Sequence, residues 1–456
     1  MGQNDGGRQL NLASLTLSNY RRFERFNIDL HPSLTVIAAR NGQGKTTVLE
    51  AAASALGPFV GAFDEGKAEH IKRTDARYRR IGAGPENEQT FPVVVNAVLD
   101  DPRLTSTREL RSGKGRTTTS GAAELVHYGK ELQDRARYDE RIDLPVVRYY
   151  SSKRLWVHHN SSRKSVLTES RTAGYEDCLS AMSTFNQLQE WVRAATLADL
   201  QQRAQPGYPD SGLGDRLRGI ASAVDVVMAG EGWSGFHYSF IFDELAMTHP
   251  DHGALPMTVL SDGVRAMAAL TADLAQRCAR LNGHLGSEAP TRTCGIVLVD
   301  EVDLHLHPAW QQRVLPALTE AFPNIQFIVS THSPQVLSTA PRESIRTVFQ
   351  DATGAWRSER PSHQVLGLAS SVALTEVMAV NPTPDVKEAN LIDEYTALIE
   401  SGQHNTERGN ELRRELENFF GSGHQVLIDA DRLIRFQKFK LRRGERESDS
   451  HVKGMD

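Results

Sequence analysis

Apolar and polar residues alternate near the start of the chain in a way that is typical of paired strands. Leu15 and Leu17 alternate with polar residues, and Phe26, Ile28 and Leu30 do so again after a short break. Alternation with a period of two indicates strands that bury one face. The pattern predicts a hairpin-like pair of strands, followed by a third strand over residues 34–38.

A glycine-rich loop joins this third strand to a predicted helix. Residues 46–56 are rich in alanine and favour a helix, which Gly57 and Pro58 are expected to stop. The order of strand, glycine loop and helix is the setting in which phosphate-binding loops occur.

The rest of the chain predicts an α/β fold that ends in helices. Further strands are predicted over 91–99, 144–150, 295–299 and 325–330, the last two of the buried parallel type. Apolar residues three and four positions apart predict amphipathic helices over 175–200 and near 217–228. Short and polar-rich helices are predicted over 368–380, 387–399, 406–420 and 426–440.

Charge and cysteine content restrict the partners and the compartment. The chain has 52 Lys and Arg against 57 Asp and Glu, a formal net charge of −5, so nucleic acid could bind only at a local basic patch. Cys178, Cys278 and Cys294 have the spacing of neither a metal clip nor a disulfide framework. No apolar run is long enough to span a bilayer. We therefore expect a cytoplasmic protein without membrane contact.

The glycine loop has the residue types of a nucleotide-binding site. Its sequence from Ala39 is ARNGQGKTT, which matches G-x-x-x-x-G-K-[S/T] except at the first position, where alanine is tolerable if φ stays negative. In such loops the lysine reaches the β and γ phosphate oxygens and the following hydroxyl holds Mg²⁺. The residues expected to contact nucleotide are Asn41, Gly42, Gln43, Gly44, Lys45, Thr46 and Thr47.

Two carboxylates, Asp300 and Glu301, follow the predicted strand over 295–299. On a buried parallel strand, Asp300 lies at the carboxyl edge, where ligands of open α/β sheets bind. Asp300 would hold Mg²⁺ together with Thr46, and Glu301 would orient and deprotonate an attacking water. The sequence therefore predicts ATP and Mg²⁺ as cofactors.

Two further segments flank this pair of carboxylates. Ser261, Asp262 and Gly263 begin a predicted helix 39 residues before Asp300, and His332 follows a strand 32 residues after it. Taken alone, Ser-Asp-Gly before a helix is an ordinary N-cap. The neighbouring histidines 305 and 307 also suggest a metal site, although no third ligand is evident.

The glycine loop at residues 39–47 resembles the Walker A element of ABC-type ATPases, and residues 260–265 resemble their signature element. Asp300 and Glu301 resemble the Walker B element, and His332 resembles the switch histidine. The resemblance gives catalytic roles to Glu301 and His332, and it implies that Ser261, Asp262 and Gly263 act in trans on nucleotide held by a second copy. Residues 19–23 resemble the N-terminal motif of the SMC and RecF group, in which the residue matching Arg21 approaches the nucleotide. Residues 303–308 resemble the D-loop of the RecF and OLD-like branch.

The implied fold is an ABC-type P-loop ATPase head with a mixed and largely parallel sheet. Residues 1–150 and 251–350 would form its N-terminal and C-terminal parts. Residues 151–250 would be a mostly helical insertion, and 351–456 a helical region for partner binding or oligomerisation.

Segments outside the site resemble the PtuA family, the ATPase subunits of Septu anti-phage systems, which also accompany some retrons. These segments are residues 56–59, 149–156, 171–175 and 336–342. The resemblance implies a homo-oligomer that holds and regulates a separate HNH nuclease of the PtuB type. A DNA-repair ATPase of the RecF or SMC type is the alternative. The cytosolic ATPase subunit of a transporter is a third reading, which the lack of a clear glutamine loop disfavours.

DNA, including retron DNA, is a further candidate partner. Basic residues cluster in two segments, at Lys72, Arg73, Arg77, Arg79 and Arg80 and at Arg435, Lys438, Lys440, Arg442 and Arg443. An attached Toprim nuclease would need a carboxylate pair on a strand, and the sole candidate is Asp429 with Asp431, close after a predicted helix. Cleavage is therefore expected from a partner.

Overall fold

The computed structural model describes residues 10–80, 87–100, 103–152, 167, 170–181, 185–205 and 211–452, with side chains up to residue 440. Contacts divide the chain into two units, Met1–Ala379 and Val380–Asp456, and each unit has its own hydrophobic core. The four-part division expected from the sequence stays a prediction.

The strands and helices follow one another from Asn11 onwards. The strands are β1 (Asn11–Tyr20), β2 (Phe23–Asp29), β3 (Leu34–Ala38), β4 (Arg77–Arg80), β5 (Asn87–Thr90), β6 (Val93–Asp100), β7 (Leu104–Leu110), β8 (Val146–Tyr150), β9 (Ser234–Ser239), β10 (Glu244–His249), β11 (Gly253–Pro256), β12 (Gly295–Val299), β13 (Ile325–Thr331), β14 (Ile345–Gln350) and β15 (Trp356–Glu359). The helices are α1 (Lys45–Val60), α2 (Ala123–Tyr138), α3 (Phe185–Ala204), α4 (Leu213–Met228), α5 (Asp262–Leu281), α6 (Ala289–Arg292), α7 (Pro308–Gln311), α8 (Val314–Ala321), α9 (Pro334–Leu337), α10 (Ser370–Glu376), α11 (Lys387–Glu400), α12 (Glu407–Phe420) and α13 (Gln425–Val452).

A six-stranded sheet with the order β15-β14-β3-β13-β12-β8 lies at the centre of the first unit. All its neighbouring strands pair in parallel except the edge strand β15, which is antiparallel. Every residue of β3, β12 and β13 is buried, as expected for strands covered on both faces. The register aligns the carboxyl ends of these three strands, so the segments that follow them meet at one edge.

A second, antiparallel sheet has the order β2-β1-β6-β7 and contains the hairpin predicted from the opening alternation. The buried side chain of Gln326, on β13, connects it to the central sheet. Its amide group accepts from Leu12 N at 2.7 Å and donates to Leu12 O at 2.8 Å. These bonds satisfy polar groups that are otherwise costly to bury. The predicted α/β fold with a mixed and largely parallel sheet is confirmed.

Helix α1 extends past the point at which the sequence predicted its end. The expected stop at Gly57 and Pro58 is wrong, because the helix continues for two residues beyond Pro58. Proline lacks an N–H and leaves the carbonyl of Ser54 without its helical donor. Nη1 of the buried Arg108 donates to that carbonyl at 2.8 Å. A distant side chain therefore replaces the missing helical bond.

Helix α3 begins later than predicted. The expected start at Tyr175 is wrong, because residues 171–175 form a 3₁₀ turn and α3 starts at Phe185. The Tyr175 ring stacks on Phe63 with centroids 4.1 Å apart, and its hydroxyl donates to Pro145 O at 2.7 Å. These tertiary contacts hold Tyr175 outside a helix.

The second unit consists of α11, α12 and α13, close to the predicted helices. Its core contains Tyr395, Ile399, Leu412, Leu416 and Leu427. The predicted end of the last helix at residue 440 is too early, since α13 extends to Val452. Within the described ranges, no helix of either unit is long and apolar enough to cross a membrane.

Candidate functional site

The glycine loop follows β3 and has the backbone of a phosphate-binding loop. Gly42 and Gly44 have positive φ angles of 72° and 97°, which glycine adopts without strain. A Cβ at Gly44 would lie 2.6 Å from the ring of Phe23, so this position also lacks room for a side chain. Ala39 is not among the residues with positive φ, and this explains why alanine is tolerated there.

The other loop residues named by the sequence lie around this turn. Asn41 is exposed, whereas Thr47 is buried behind the loop in the first turn of α1. Gln43 closes the turn, because its Oε1 accepts from Arg40 N at 3.0 Å and its own N–H donates to Arg40 O at 3.2 Å.

Lys45 begins α1 with its ammonium group folded back onto the loop. Nζ donates to Ala39 O at 2.9 Å and to Arg40 O at 3.4 Å, and it lies 3.4 Å from Nδ1 of His332. Burial lowers the pKa of Lys45 to about 8, although Asp300 opposes the shift. Within the described residues, no carboxylate forms an ion pair with Nζ, so its charge is available to a phosphate.

Asp300 lies directly after β12 and is almost fully buried. Thr46 Oγ1 donates to its Oδ2 at 2.8 Å, and Ser330 Oγ donates to its Oδ1 at 2.6 Å. The Glu301 N–H donates to Ser330 Oγ at 2.8 Å. Hydroxyl and carboxylate oxygens are the ligands that Mg²⁺ prefers, so Thr46 and Asp300 have the donor chemistry of a Mg²⁺ site.

The sequence reasoning missed Ser330, which contacts Asp300 and Glu301. A local indication was present, because Ser330 is a hydroxyl residue near the carboxyl end of the strand next to β12. Parallel neighbours bring such ends together.

Glu301 and His332 lie at the same edge of the central sheet. Glu301 has φ of 49°, an uncommon left-handed conformation for a residue with a side chain, directly after the strand. Burial and the nearby Lys45 ammonium lower the pKa of His332. The imidazole is therefore neutral near pH 7, which allows Nδ1 to accept from Lys45.

Ser261, Asp262 and Gly263 stand at the start of α5. Asp262 forms an ion pair with Arg265 at 2.6 Å, and Ser261 and Asp262 are exposed. A Cβ at Gly263 would lie 2.5 Å from His305 O, so the helix start packs tightly on the segment that resembles a D-loop. No hydrogen bond among the described residues connects this helix start to the glycine loop of the same chain.

Arg21 lies in a network of carboxylates, and none of its hydrogen bonds or ion pairs within the described residues is to the glycine loop. Its guanidinium pairs with Asp75 at 2.9 Å and with Glu50. Burial alone would lower its pKa, but Tyr20, Glu50 and Asp75 outweigh burial and raise it. The predicted nucleotide contact of Arg21 stays a prediction, and these ion pairs give Arg21 a stabilising role.

The next residue, Arg22, lies against the glycine loop instead. A Cβ at Gly44 would lie 3.2 Å from its Cδ, and a Cβ at Gly42 would lie 3.9 Å from its Nη2. The Arg22 guanidinium stacks over the Trp356 ring at 5.3 Å from the centroid. Arg22 is exposed and places a positive charge beside the loop.

The residues of the two alternative sites, a metal site at the histidines and a Toprim-like carboxylate pair, have other contacts in the structure. His307 Nδ1 accepts from Ala309 N at 3.3 Å, as a cap of α7. The described residues contain no group of three His, Cys, Asp or Glu side chains that could hold a metal ion, so His305 and His307 find no third ligand of these types there. Asp431 lies on helix α13 rather than on a strand and pairs with Arg413 at 2.7 Å.

The two basic segments are only partly available for nucleic acid. Arg77 pairs with Glu24 at 3.0 Å, whereas Tyr78, Arg79 and Arg80 are exposed on β4. In the second unit, Arg435, Lys438 and Lys440 are exposed, and the side chains of residues 442 and 443 lie outside the described part. Residues 153–156 of one segment that resembles the PtuA family also lie outside it.

The parallel sheet, the glycine loop after β3 and the carboxylate after β12 are the features by which P-loop nucleotide-binding proteins are known. Residues 128–338 match the family described as "AAA domain, putative AbiEii toxin, Type IV TA system", and residues 14–205 match a second family described as "AAA domain".

Individual relatives come from retron and Septu systems. The chain is 24% identical to the retron Vc95 probable ATPase of Vibrio cholerae serotype O1 biovar El Tor, over 89% of this chain and 87% of that protein. It is 25% identical to the retron Ec83 probable ATPase of Escherichia coli, over 94% and 87%. Septu protein PtuA of Bacillus mycoides (strain KBAB4) is 28% identical over 34% of this chain and 21% of that protein. The predicted resemblance to the PtuA family is confirmed.

Proposed function

We propose that this chain is the ATP-binding ATPase subunit of an anti-phage defence complex, in which bound ATP controls a partner nuclease of the HNH type. The main observation is that Lys45, Thr46 and Asp300 converge at one edge of the parallel sheet. The retron and Septu relatives support the defence setting.

In this proposal each residue at the edge has one task. Lys45 exchanges its carbonyl partners for the β and γ phosphate oxygens of ATP, while Thr46 and Asp300 hold Mg²⁺. Mg²⁺ neutralises phosphate charge when it is bound. Ser330 orients Asp300, Glu301 orients and deprotonates the attacking water, and His332 contacts the γ-phosphate.

The start of α5 supports a site shared between two copies of the chain. A helix of 20 residues concentrates partial positive charge and free N–H groups at its N-terminus, which favours a phosphate. Asp262 would repel that phosphate, but the ion pair with Arg265 offsets its charge. Because Ser261 is exposed and unconnected to its own glycine loop, we infer that it contacts ATP held by a second copy.

One contact supports a link between the nucleotide and the start of the second unit. Arg40, inside the glycine loop, donates from Nη2 to Ala379 O at 2.6 Å. Ala379 is the last residue of the first unit and has a left-handed φ of 51°. A change in the conformation of the glycine loop on binding ATP would therefore reach the residue after which the second unit begins.

The exposed residues of β4 favour a second candidate, a DNA-repair ATPase of the RecF or SMC type. Tyr78 is 58% exposed and stands beside Arg79 and Arg80, a combination of aromatic and basic side chains that suits nucleic acid. ATP hydrolysis that DNA stimulates in the absence of any nuclease partner would favour this candidate.

The proposal is tested with the purified chain and an HNH nuclease encoded beside it. DNA cleavage by the pair is measured over a range of ATP concentrations for the wild type, Lys45→Ala and Glu301→Gln. We expect Lys45→Ala to lose nucleotide binding and to uncouple cleavage from ATP. Glu301→Gln should keep binding and hydrolyse ATP roughly 10²-fold more slowly. Cleavage that ignores ATP in the wild type would contradict the regulatory part of the proposal.

A further inference from the structure

A pocket of about 250 Å³ lies beside the 3₁₀ turn at residues 171–175. It is formed by the first unit alone and contains none of the residues given a task above. Its lining includes Glu140, Arg171, Trp191, Arg216, Arg280 and His284. Three arginines and an aromatic ring thus share one concave surface.

Arg171 places its positive charge at the pocket without a carboxylate partner among the described residues. Nε donates to Leu281 O at 2.7 Å, Nη1 to Glu140 O at 3.0 Å and Nη2 to Ile142 O at 2.5 Å. These carbonyls fix the guanidinium in position. Because they are neutral, they leave its charge in place.

Arg216, on α4, has even fewer partners. Its Nε is buried and has no hydrogen-bond partner in the described part of the chain. The guanidinium packs against the backbone at Gly283, where any larger residue would collide with it. Its neighbour Arg218 differs, because it is exposed and forms an ion pair with Asp215.

Two half-buried cations at one pocket are unfavourable unless an anion joins them. Burial lowers the pKa of both Arg171 and Arg216. At Arg171 the nearby Tyr175 and Asp143 oppose this shift, whereas Arg216 adds to it by direct repulsion. A buried charge without a counter-charge costs free energy. Of the acidic groups nearby, Glu140 is exposed, and Asp143 lies 2.9 Å from Nε2 of His284 and forms no ion pair with either arginine in the described part of the chain.

We propose that this pocket binds a ligand with a terminal phosphate, to which Arg216 donates while Arg171 and Arg280 add positive field. Guanidinium groups match the geometry of phosphate oxygens. Trp191 forms part of the wall and offers an apolar surface to the rest of the ligand. The volume is small for ligand pockets, so the ligand is a nucleotide-sized molecule or the phosphorylated end of a strand.

The test uses the full chain with Lys45→Ala, so that the glycine loop does not compete for phosphate. Binding is measured by calorimetry with AMP and with a thymidine oligonucleotide that has or lacks a 5′-phosphate. Arg216→Gln is compared with the matched control Arg218→Gln, two positions along the same helix. We expect Arg216→Gln to weaken binding at least tenfold and Arg218→Gln to leave it unchanged.

The pattern of binding also identifies the source of the phosphate. Tighter binding of AMP assigns the pocket to a free nucleotide, and tighter binding of the phosphorylated oligonucleotide assigns it to a strand end. Equal binding by both arginine variants, or no saturable binding of any phosphate probe by folded Lys45→Ala, would overturn the proposal.

Thermal melting separates a ligand contact from a structural role. Without phosphate, Arg216→Gln should melt no lower than Arg218→Gln, because it removes a charge without a partner. A markedly lower melting temperature would make Arg216 a structural cation and would also overturn the proposal. Failure here leaves the proposed ATP site untouched, since neither arginine belongs to it.

Discussion

The hydroxyl of Thr46 donates to Oδ2 of Asp300 at 2.8 Å, and this bond joins the first turn of α1 to the end of β12. The second oxygen of Asp300 accepts from Ser330 at 2.6 Å. Both carboxylate oxygens are thus held by hydroxyl groups, and Asp300 keeps a fixed direction. In the proposed site, this arrangement would pre-organise the oxygen atoms of Thr46 and Asp300 for a cation.

Removal of the Ser330 hydroxyl should therefore weaken Mg²⁺ binding without removing a ligand. Residues that orient metal ligands are typically worth 10–100-fold in affinity, so we expect Ser330→Ala to raise the Mg²⁺ concentration needed for ATP binding about tenfold. Asp300→Asn should raise the required Mg²⁺ concentration further, because it removes the carboxylate charge. Titration of Mg²⁺ at fixed ATP measures both effects. Ser338→Ala, which removes a hydroxyl bonded to Gln335 O at 2.9 Å, is the control and should leave the titration unchanged.

The buried ammonium of Lys45 predicts a pH dependence of ATP binding. Burial lowers its pKa to about 8, so the charged form is lost in the free protein as pH rises through that value. Since phosphate favours the charged form, the Kd for ATP should be nearly constant below pH 8 and should rise roughly tenfold per pH unit above it.

Calorimetry at pH 7, 8, 9 and 10 measures this profile. Lys45→Arg is the control, because a guanidinium stays charged throughout the range and should give a flat profile even if binding is weaker. Identical profiles for lysine and arginine would show that Lys45 does not titrate at the site.

The adjacent residues Arg21 and Arg22 should respond differently to substitution. Arg21→Ala leaves the buried Asp75 carboxylate without its cation, which should cost about 1–3 kcal/mol of folding free energy. Arg22→Ala removes an exposed side chain and should change stability by less than about 0.5 kcal/mol. If Arg22 contacts the bound phosphates, its loss should weaken ATP binding about tenfold or more, as expected for a charged hydrogen bond.

Urea unfolding and ATP titration of the same two variants distinguish these effects. Trp356→Leu provides a further comparison, because it removes the ring on which Arg22 stacks but keeps the charge. Loss of ATP affinity in Arg21→Ala at full stability would instead support the role that the N-terminal motif predicted for Arg21.

The local sequence was sufficient to predict which residues follow the strands at the site, because the glycine loop, the two carboxylates and the histidine each come after an apolar strand. The apolar character of β3, β12 and β13 indicates buried parallel strands, and parallel strands bring their carboxyl ends to one edge. The partners of the Arg21 side chain could not be predicted from its neighbours in the sequence. Its left-handed φ of 50° accompanies contacts to Asp75, 54 positions away.

The same limit explains the error at Pro58. Proline normally ends a helix because one carbonyl loses its donor. Here Arg108 supplies that donor from β7, and burial lowers the pKa of its guanidinium to about 10. A rule that considers only neighbouring residues does not include a donor 54 positions away.

The exposed start of α5 gives the sharpest prediction about assembly. Ser261→Arg places a long side chain where ATP of a second copy would dock, so ATP-dependent self-association and hydrolysis should both be lost. Folding and ATP binding by the glycine loop should persist, because Ser261 is exposed and not bonded to that loop. Sedimentation velocity with ATP and Mg²⁺ in a Glu301→Gln background measures association. Ser112→Arg, in an exposed turn, controls for the added charge. Unchanged association and turnover in Ser261→Arg would mean that each copy completes its own site, and the shared-site proposal would be wrong.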